Sequence, residues 1–226
     1  MSGTLLAVGF DLDYTLWDQG TFAESFFGSI AWELGGRLGC KGERVERVLQ
    51  ETLAQLTMAH PHVFDEALRR MGVDDPGLVA ELVERFHRHR PPLCPYPGAR
   101  GALERLLDRG YRLFLVTDGV SATQRYKVAA LGLEPCFHAL VFTGDFPLIL
   151  QKPSPFPFLL ACRKLGLRPR QCAFVGDNPL ADFEGPQRLG MLTIGVRTGP
   201  YANQLAPKGP APDFRIHAFE DLAGIL

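Results

Sequence analysis

The chain has no charge excess: 24 Lys and Arg stand against 25 Asp and Glu, a formal net charge of -1. A balance so even gives no general attraction to nucleic acid or to an anionic membrane, and leaves room only for local patches. Cysteine is scarce and unpatterned. Cys40, Cys94, Cys136, Cys162 and Cys172 are odd in number, scattered, and never arranged as C-x-x-C, so neither a disulfide framework nor a zinc site is expected. No apolar run is long enough to span a bilayer, and the opening "MSGTLLAVGFDLD" has no basic region followed by a long apolar stretch. The expectation is a protein of the reduced cytoplasm without leader or anchor. Internal repeats are also missing. What is present is core-forming material: 46% hydrophobic against 22% charged over 226 residues, enough for one large domain or a core with a smaller lobe.

Leu5 to Phe10 is a short apolar run of the kind that is buried on both faces in a parallel sheet. Similar runs recur at Tyr111 to Val116, Ala139 to Phe142, Cys172 to Val175 and Leu192 to Val196. Helical stretches separate the later ones. One covers about Gly98 to Asp108 and is closed by Gly110. A second begins near Ser121, where Ser121 and Gln124 have the spacing of a capping box, and ends before Gly132. A third starts at Ser154-Pro155 and ends before Gly166. A fourth runs from about Pro179 to Leu189, "DFRI" is an edge strand, and Phe219 to Leu226 a short terminal helix. Strand and helix in alternation predict an α/β fold, a Rossmann-like parallel sheet with helices on both faces.

Residues 18–92 interrupt that alternation. Phe22, Phe26, Phe27, Ile30 and Leu34 recur at helical spacing, as do Val45, Val48, Leu49 and Leu56, and then Leu78, Leu82, Val83 and Phe86. This predicts an all-helical domain inserted between the first and second strands of a core made of residues 1–17 and 93–226. "PPLCPYPG" (Pro91 to Gly98) is its return linker, since proline stops helices and stiffens connections. The insert's aromatic residues, Trp32 and Phe64 among them, are expected to pack, and its histidines (His60, His62, His87, His89) to be exposed. "GPYANQLAPKGPAP" (Gly199 to Pro212) reads as a surface loop.

Ligands of open α/β sheets bind beyond the carboxyl ends of the strands. After the first run come Asp11 and Asp13; after the second, Thr117, Asp118 and Gly119; after the third, across a loop, Lys152; after the fourth, Gly176, Asp177, Asn178 and Asp182. Several carboxylates gathered at one edge are costly to bury unless a cation joins them. With hard oxygen donors and no His or Cys cluster, Mg2+ is the natural candidate.

"DLDYT" (Asp11 to Thr15), "VTDG" (Val116 to Gly119), "KP" (Lys152, Pro153) and "GDNPLAD" (Gly176 to Asp182) resemble, in order, the four motifs of the haloacid dehalogenase superfamily. The match spans most of the chain, and the helical insert after the first motif is similar to that superfamily's small cap domain. The resemblance implies a phosphohydrolase acting on a small phosphomonoester, with Asp11 as nucleophile and Asp13 as acid and then base. In extended chain, residues i and i+2 face the same way, so both carboxylates address one phosphoryl group. Mg2+ would be held by the Asp11 side chain, the Asp13 carbonyl and Asp177, with Asp182 and Asn178 standing behind these ligands. Thr117 and the N–H groups of Asp118 and Gly119 would hold the phosphate, and Lys152 would offset the charge it shares with Asp11. Family members often carry Asn where this chain has Asp118; its carboxylate is expected to turn away and leave only its N–H toward phosphate. Trp17, just past the first motif, is a candidate wall of the substrate pocket or else packs under the joint with the insert.

Rival readings differ at single residues. A haloacid dehalogenase or a phosphonatase lacks the second acid of the first motif, which is present here as Asp13; a phosphonatase also needs a lysine in the insert, and Lys41 is the only one there. A phosphomutase shares Asp13. A non-catalytic relative would have lost Asp11 or Asp13, and a nucleic-acid end-processing enzyme needs a basic stripe that the sequence does not show. The substrate, and whether the chain is a monomer or a homodimer, stay open at this point.

Overall fold

The computed structural model describes residues 4–56, 62–202 and 209–226. His60 and positions 203–208 of the proline-rich loop lie outside these. The chain divides into two compact units, Met1–Asp18 with Pro92–Leu226, and Gln19–Pro91.

The larger unit is a six-stranded sheet, all parallel, built from β1 (Ala7–Phe10), β2 (Arg112–Thr117), β3 (Ala139–Phe142), β4 (Cys172–Gly176), β5 (Leu192–Val196) and β6 (Phe214–Ile216), in the order β3-β2-β1-β4-β5-β6. β1 is fully buried between β2 and β4, which is why its sequence shows no alternation. Gly9 stands level with Phe114 on one side and Phe174 on the other. A Cβ at Gly9 would lie 2.2 Å from the Phe114 ring, so only glycine lets both rings close over the middle of the strand. Phe174 in turn meets Phe158 edge to face at 4.8 Å, within a cluster that includes Ala7, Val116, Cys162, Leu165 and Met191.

Numbering the smaller unit's four helices first, the helices of the sheet unit are α5 (Ala99–Asp108), α6 (Ser121–Ala130), α7 (Phe156–Leu165) and α8 (Glu184–Leu189). Strand order moves one way from β1 to β3 and the other way from β4 to β6. Right-handed crossovers therefore put α5 and α6 on one face and α7 and α8 on the other. The order reverses between β1 and β4, and a crevice opens beyond their carboxyl ends.

Three local expectations change. Ser121 does not cap α6: Val120 occupies the cap position, and the Gln124 side chain is drawn elsewhere, as described below. The helix expected from Pro179 is only the six residues of α8. Residues before it form a turn in which Asp182 N–H donates to the Asn178 carbonyl and Leu180 N–H to Asn178 Oδ1. At α7 the cap falls on Pro155, while the Ser154 hydroxyl still accepts the Phe156 N–H at 3.3 Å.

The smaller unit consists of α1 (Gln19–Arg37), α2 (Gly42–Leu56), α3 (Val63–Arg70) and α4 (Pro76–Arg88). Phe22, Phe26, Phe27, Phe64 and Phe86 are buried, and Phe86 meets Phe22 and Phe26 edge to face at 5.1 and 5.3 Å. Asp75 caps α4 through the Leu78 N–H, with Pro76 at its first turn. Trp32 is a correction: it is 69% exposed, lying on the outer side of α1 against the backbone of Gly42. His87 and His89 are partly buried, not exposed, and the His89 ring packs on Phe22 and Phe26. Among the described residues no helix is long and apolar enough to cross a membrane.

Candidate active site

All the candidate site residues belong to the sheet unit and sit where its strands end. Asp11 follows β1 directly, and its N–H donates to the Val175 carbonyl of β4 at 2.9 Å, which ties it to the crevice. Three residues on, Tyr14 adopts a left-handed conformation (φ 58°). A non-glycine residue there is strained, and such strain is held only where surrounding structure enforces it. Here Thr198 donates its hydroxyl to the Tyr14 carbonyl, and the bend returns Thr15 toward the site. Thr15 Oγ1 stands 3.3 Å from Asp11 Oδ2 and 3.2 Å from Asp177 Oδ1, its one proton serving either.

Asp11, Asp177 and Asp182 bring one carboxylate oxygen each within 4.8 Å of one another, all three residues buried. Asp182 thus brings an oxygen of its own into the group. Gly176 is the reason: a Cβ there would fall 2.4 Å from Asp182 Oδ2, so the absent side chain admits the carboxylate. The same oxygen accepts the Asn178 N–H at 2.9 Å. Lys152 Nζ reaches Asp11 Oδ1 at 2.6 Å and Asp182 Oδ1 at 2.8 Å, its side chain 3% exposed.

Three carboxylates face one ammonium, and the electrostatics reflect the shortfall. Burial pushes Asp11 up to about 7, with Lys152 opposing and Asp182 adding to the rise. Burial, then the charges of Asp182 and Asp11, hold Asp177 well above the usual carboxylate range. Burial also raises Asp182, against the pull of Lys152. Burial by itself would lower Lys152; the charges of Asp11, Asp182 and Asp118 outweigh it and hold the ammonium well above its ordinary value.

These shifts set a pH dependence for the metal-free protein. Between about pH 4 and 7 folded Asp11 keeps a proton that the unfolded chain has released, so stability falls as pH rises through that window. Asp11 alone contributes on the order of 4 kcal/mol. Thermal melts in chelator at pH 5 and pH 8 should show the higher melting temperature at pH 5. Asp11→Asn, which cannot titrate, should narrow the difference.

Asp13 lies apart from this group. Lys127 Nζ contacts both its oxygens, at 2.9 and 2.8 Å; Trp17 Nε1 donates to Oδ1 at 2.9 Å; Gln124 Nε2 donates to Oδ2 at 3.0 Å. Gln124 also donates to Thr117 Oγ1 at 2.7 Å. Trp17 is fully buried, with its indole 5.4 Å beneath the Lys127 ammonium and its backbone bridged to Pro95. It supports Asp13 from within the core, so of the two places expected for it the packed one is found. The Asp118 carboxylate accepts from the Thr143 hydroxyl and, at 3.4 Å, from the Lys152 N–H. Gly119 (φ 113°) makes the turn from β2 into α6 that a side chain would strain.

The fold therefore brings together Asp11, Asp177, Asp182 and Lys152 as one group, and Asp13, Thr117 and Trp17 as another. Asn178 contributes its backbone to the first. Thr15, Gln124 and Lys127 join these groups although the sequence assigns them no place in the site. Thr15 was inside the quoted first motif; Gln124 and Lys127 stand one helical turn apart on α6, and only their burial marks them.

The sequence model of the haloacid dehalogenase-like hydrolases matches residues 5–190. A glyceraldehyde 3-phosphate phosphatase of Methanopyrus kandleri is 34% identical over 97% of this chain and 96% of its own. A phosphoserine phosphatase of Thermus thermophilus is 35% identical over 68% of this chain and 59% of its own. Among solved structures, 2-haloacid dehalogenase from Pseudomonas syringae superposes with a TM-score of 0.63 and 28% identity, covering 98% of each chain. With most of its length matched by one family and its carboxylates gathered at the switch point of the sheet, the chain belongs to the haloacid dehalogenase-like hydrolases.

Proposed function

We propose that the protein is a Mg2+-dependent phosphatase of small phosphate monoesters, working through a phosphorylated Asp11. The observation that carries this reading is the division of acids. One buried group of three carboxylates lies beside Lys152, and a separate carboxylate, Asp13, is held by its own donors. The donor set fits the metal: oxygen ligands only, with more negative charge than Lys152 neutralises. Asp11, Asp177 and Asp182 would hold the ion, together with the Asp13 carbonyl. When bound, Mg2+ lowers the repulsion between the anionic nucleophile and the phosphate.

Asp11 attacks phosphorus, the bond to the ester oxygen breaks, and Asp13 gives that oxygen its proton. Asp13 then takes a proton from water, which attacks the phosphorus of the acyl phosphate and frees Asp11. Lys152 offsets the negative charge that Asp11 and the phosphoryl oxygens share. Thr117 and the N–H groups of Asp118 and Gly119 are assigned to the phosphate. The superposition on a dehalogenase favours a second reading, but that chemistry requires no acid for the leaving group. Asp13 and the three donors built around it support the phosphatase.

The test is turnover of a panel of phosphate monoesters, glyceraldehyde 3-phosphate first because a relative is named for it. Release of phosphate in Mg2+ should fall at least about 100-fold in excess EDTA. No turnover of any ester by the metal-loaded protein overturns the proposal, and isomerisation of a sugar phosphate seen by NMR replaces it with a phosphomutase.

A further inference from the structure

Lys127 is a buried ammonium with no part in the steps above. Its side chain is 3% exposed, and burying such a charge is costly without a partner. The partner is Asp13, whose carboxylate it grips at both oxygens, while the side chain lies over Trp17. Gln124, three residues earlier on the same face of α6, reaches from Asp13 to Thr117. A carboxylate at a strand end is free to turn about two bonds. Three donors from two elements, with both oxygens engaged, remove that freedom. The same contacts hold Asp13 out of the group of Asp11, Asp177 and Asp182, where a fourth carboxylate would add to an unbalanced charge.

We infer that Lys127 is a positioning residue for proton transfer: it locks the Asp13 carboxylate in place, apart from the metal ligands, and Gln124 links it to the phosphate site at Thr117. The inference rests on the phosphatase reading and deepens it.

p-Nitrophenyl phosphate separates the two steps, because nitrophenolate leaves without a proton whereas water still needs a base. Lys127→Met should give a rapid burst of about one equivalent of nitrophenolate followed by turnover slowed about 100-fold. Asp13→Asn should behave likewise, and adding Lys127→Met to Asp13→Asn should cost less than about threefold more. Lys127→Arg, which keeps the charge, should stay within about tenfold of wild type. A merely structural lysine would slow the burst and the turnover together and would add its full loss to Asp13→Asn; either result overturns the role. Should Lys127→Met not fold, Lys127→Gln, which keeps a donor without the charge, is read by the same criteria. Wild type that turns over no phosphate ester brings down the phosphatase reading, whereas active wild type with an unchanged Lys127→Met brings down this inference alone.

Discussion

Asp11→Asn should lower turnover by at least about 10⁴-fold while leaving the fold intact. The amide has the shape of the carboxylate but neither the charge nor the nucleophilicity, so no acyl phosphate forms. Loss of folding is not the cause to expect. The substitution removes one of three buried carboxylates that compete for a single ammonium, and Lys152 keeps Asp182 at 2.8 Å. Without metal the variant should melt at or above the wild-type temperature at pH 8. Acid quench and mass spectrometry should find one phosphoryl group on the wild-type peptide containing Asp11 and none on the variant. A variant with near wild-type rate would take Asp11 out of the nucleophile's role.

Lys152→Met should be the most destabilising substitution in the site. Methionine fills similar volume, so packing is largely kept, but Asp11, Asp177 and Asp182 are left with no ammonium. Removing one partner of a buried ion pair costs about 3–5 kcal/mol, which for a chain of this size lowers the melting temperature by roughly 10 °C. The deficit should depend on pH and metal. Near pH 5 Asp11 holds a proton and the loss should shrink; at pH 8 it should be larger, and Mg2+ should recover part of it. Circular-dichroism melts across these conditions read the effect directly. A loss that is the same at both pH values would mean that lost packing, and not the stranded charge, is responsible. Turnover should fall as well, since the charge on Asp11 and phosphate is no longer offset.

The sheet was legible because parallel strands buried on both faces leave continuous apolar runs; those at 139–142 and 192–196 coincide with β3 and β5. The acids at the strand ends were legible for a related reason, since a carboxylate straight after a buried run has little else to do. The misses share a different cause. Ser121 and Gln124 have the spacing of a cap, but a local hydrogen bond is weaker than a buried one to Asp13, and the tertiary partner wins. Lys127 has the pattern of a solvated helical lysine, because nothing along α6 announces a carboxylate 114 residues earlier. Trp32 was expected to pack because it is aromatic, yet two residues past Ile30 it lies about 200° round the helix, on the far side of the stripe of α1. The close approach of Asp182 to Asp11 and Asp177 was not legible, because the sequence shows Gly176 as permissive backbone and not as the gap that a carboxylate enters.

The placement of β1 between β2 and β4 also governs when the protein becomes competent. Thr15 and Asp177, joined by a hydrogen bond that Thr15 donates, are 162 residues apart, and β1 must wait for β4 before its second edge is covered. Contacts between such distant segments carry a large loop-closure cost and form slowly. A nascent chain halted before residue 172 would expose one flank of β1 and would hold Asp11 without Asp177 or Asp182. Catalytic ability should therefore appear all at once, late in synthesis, and no N-terminal fragment should show a fraction of it.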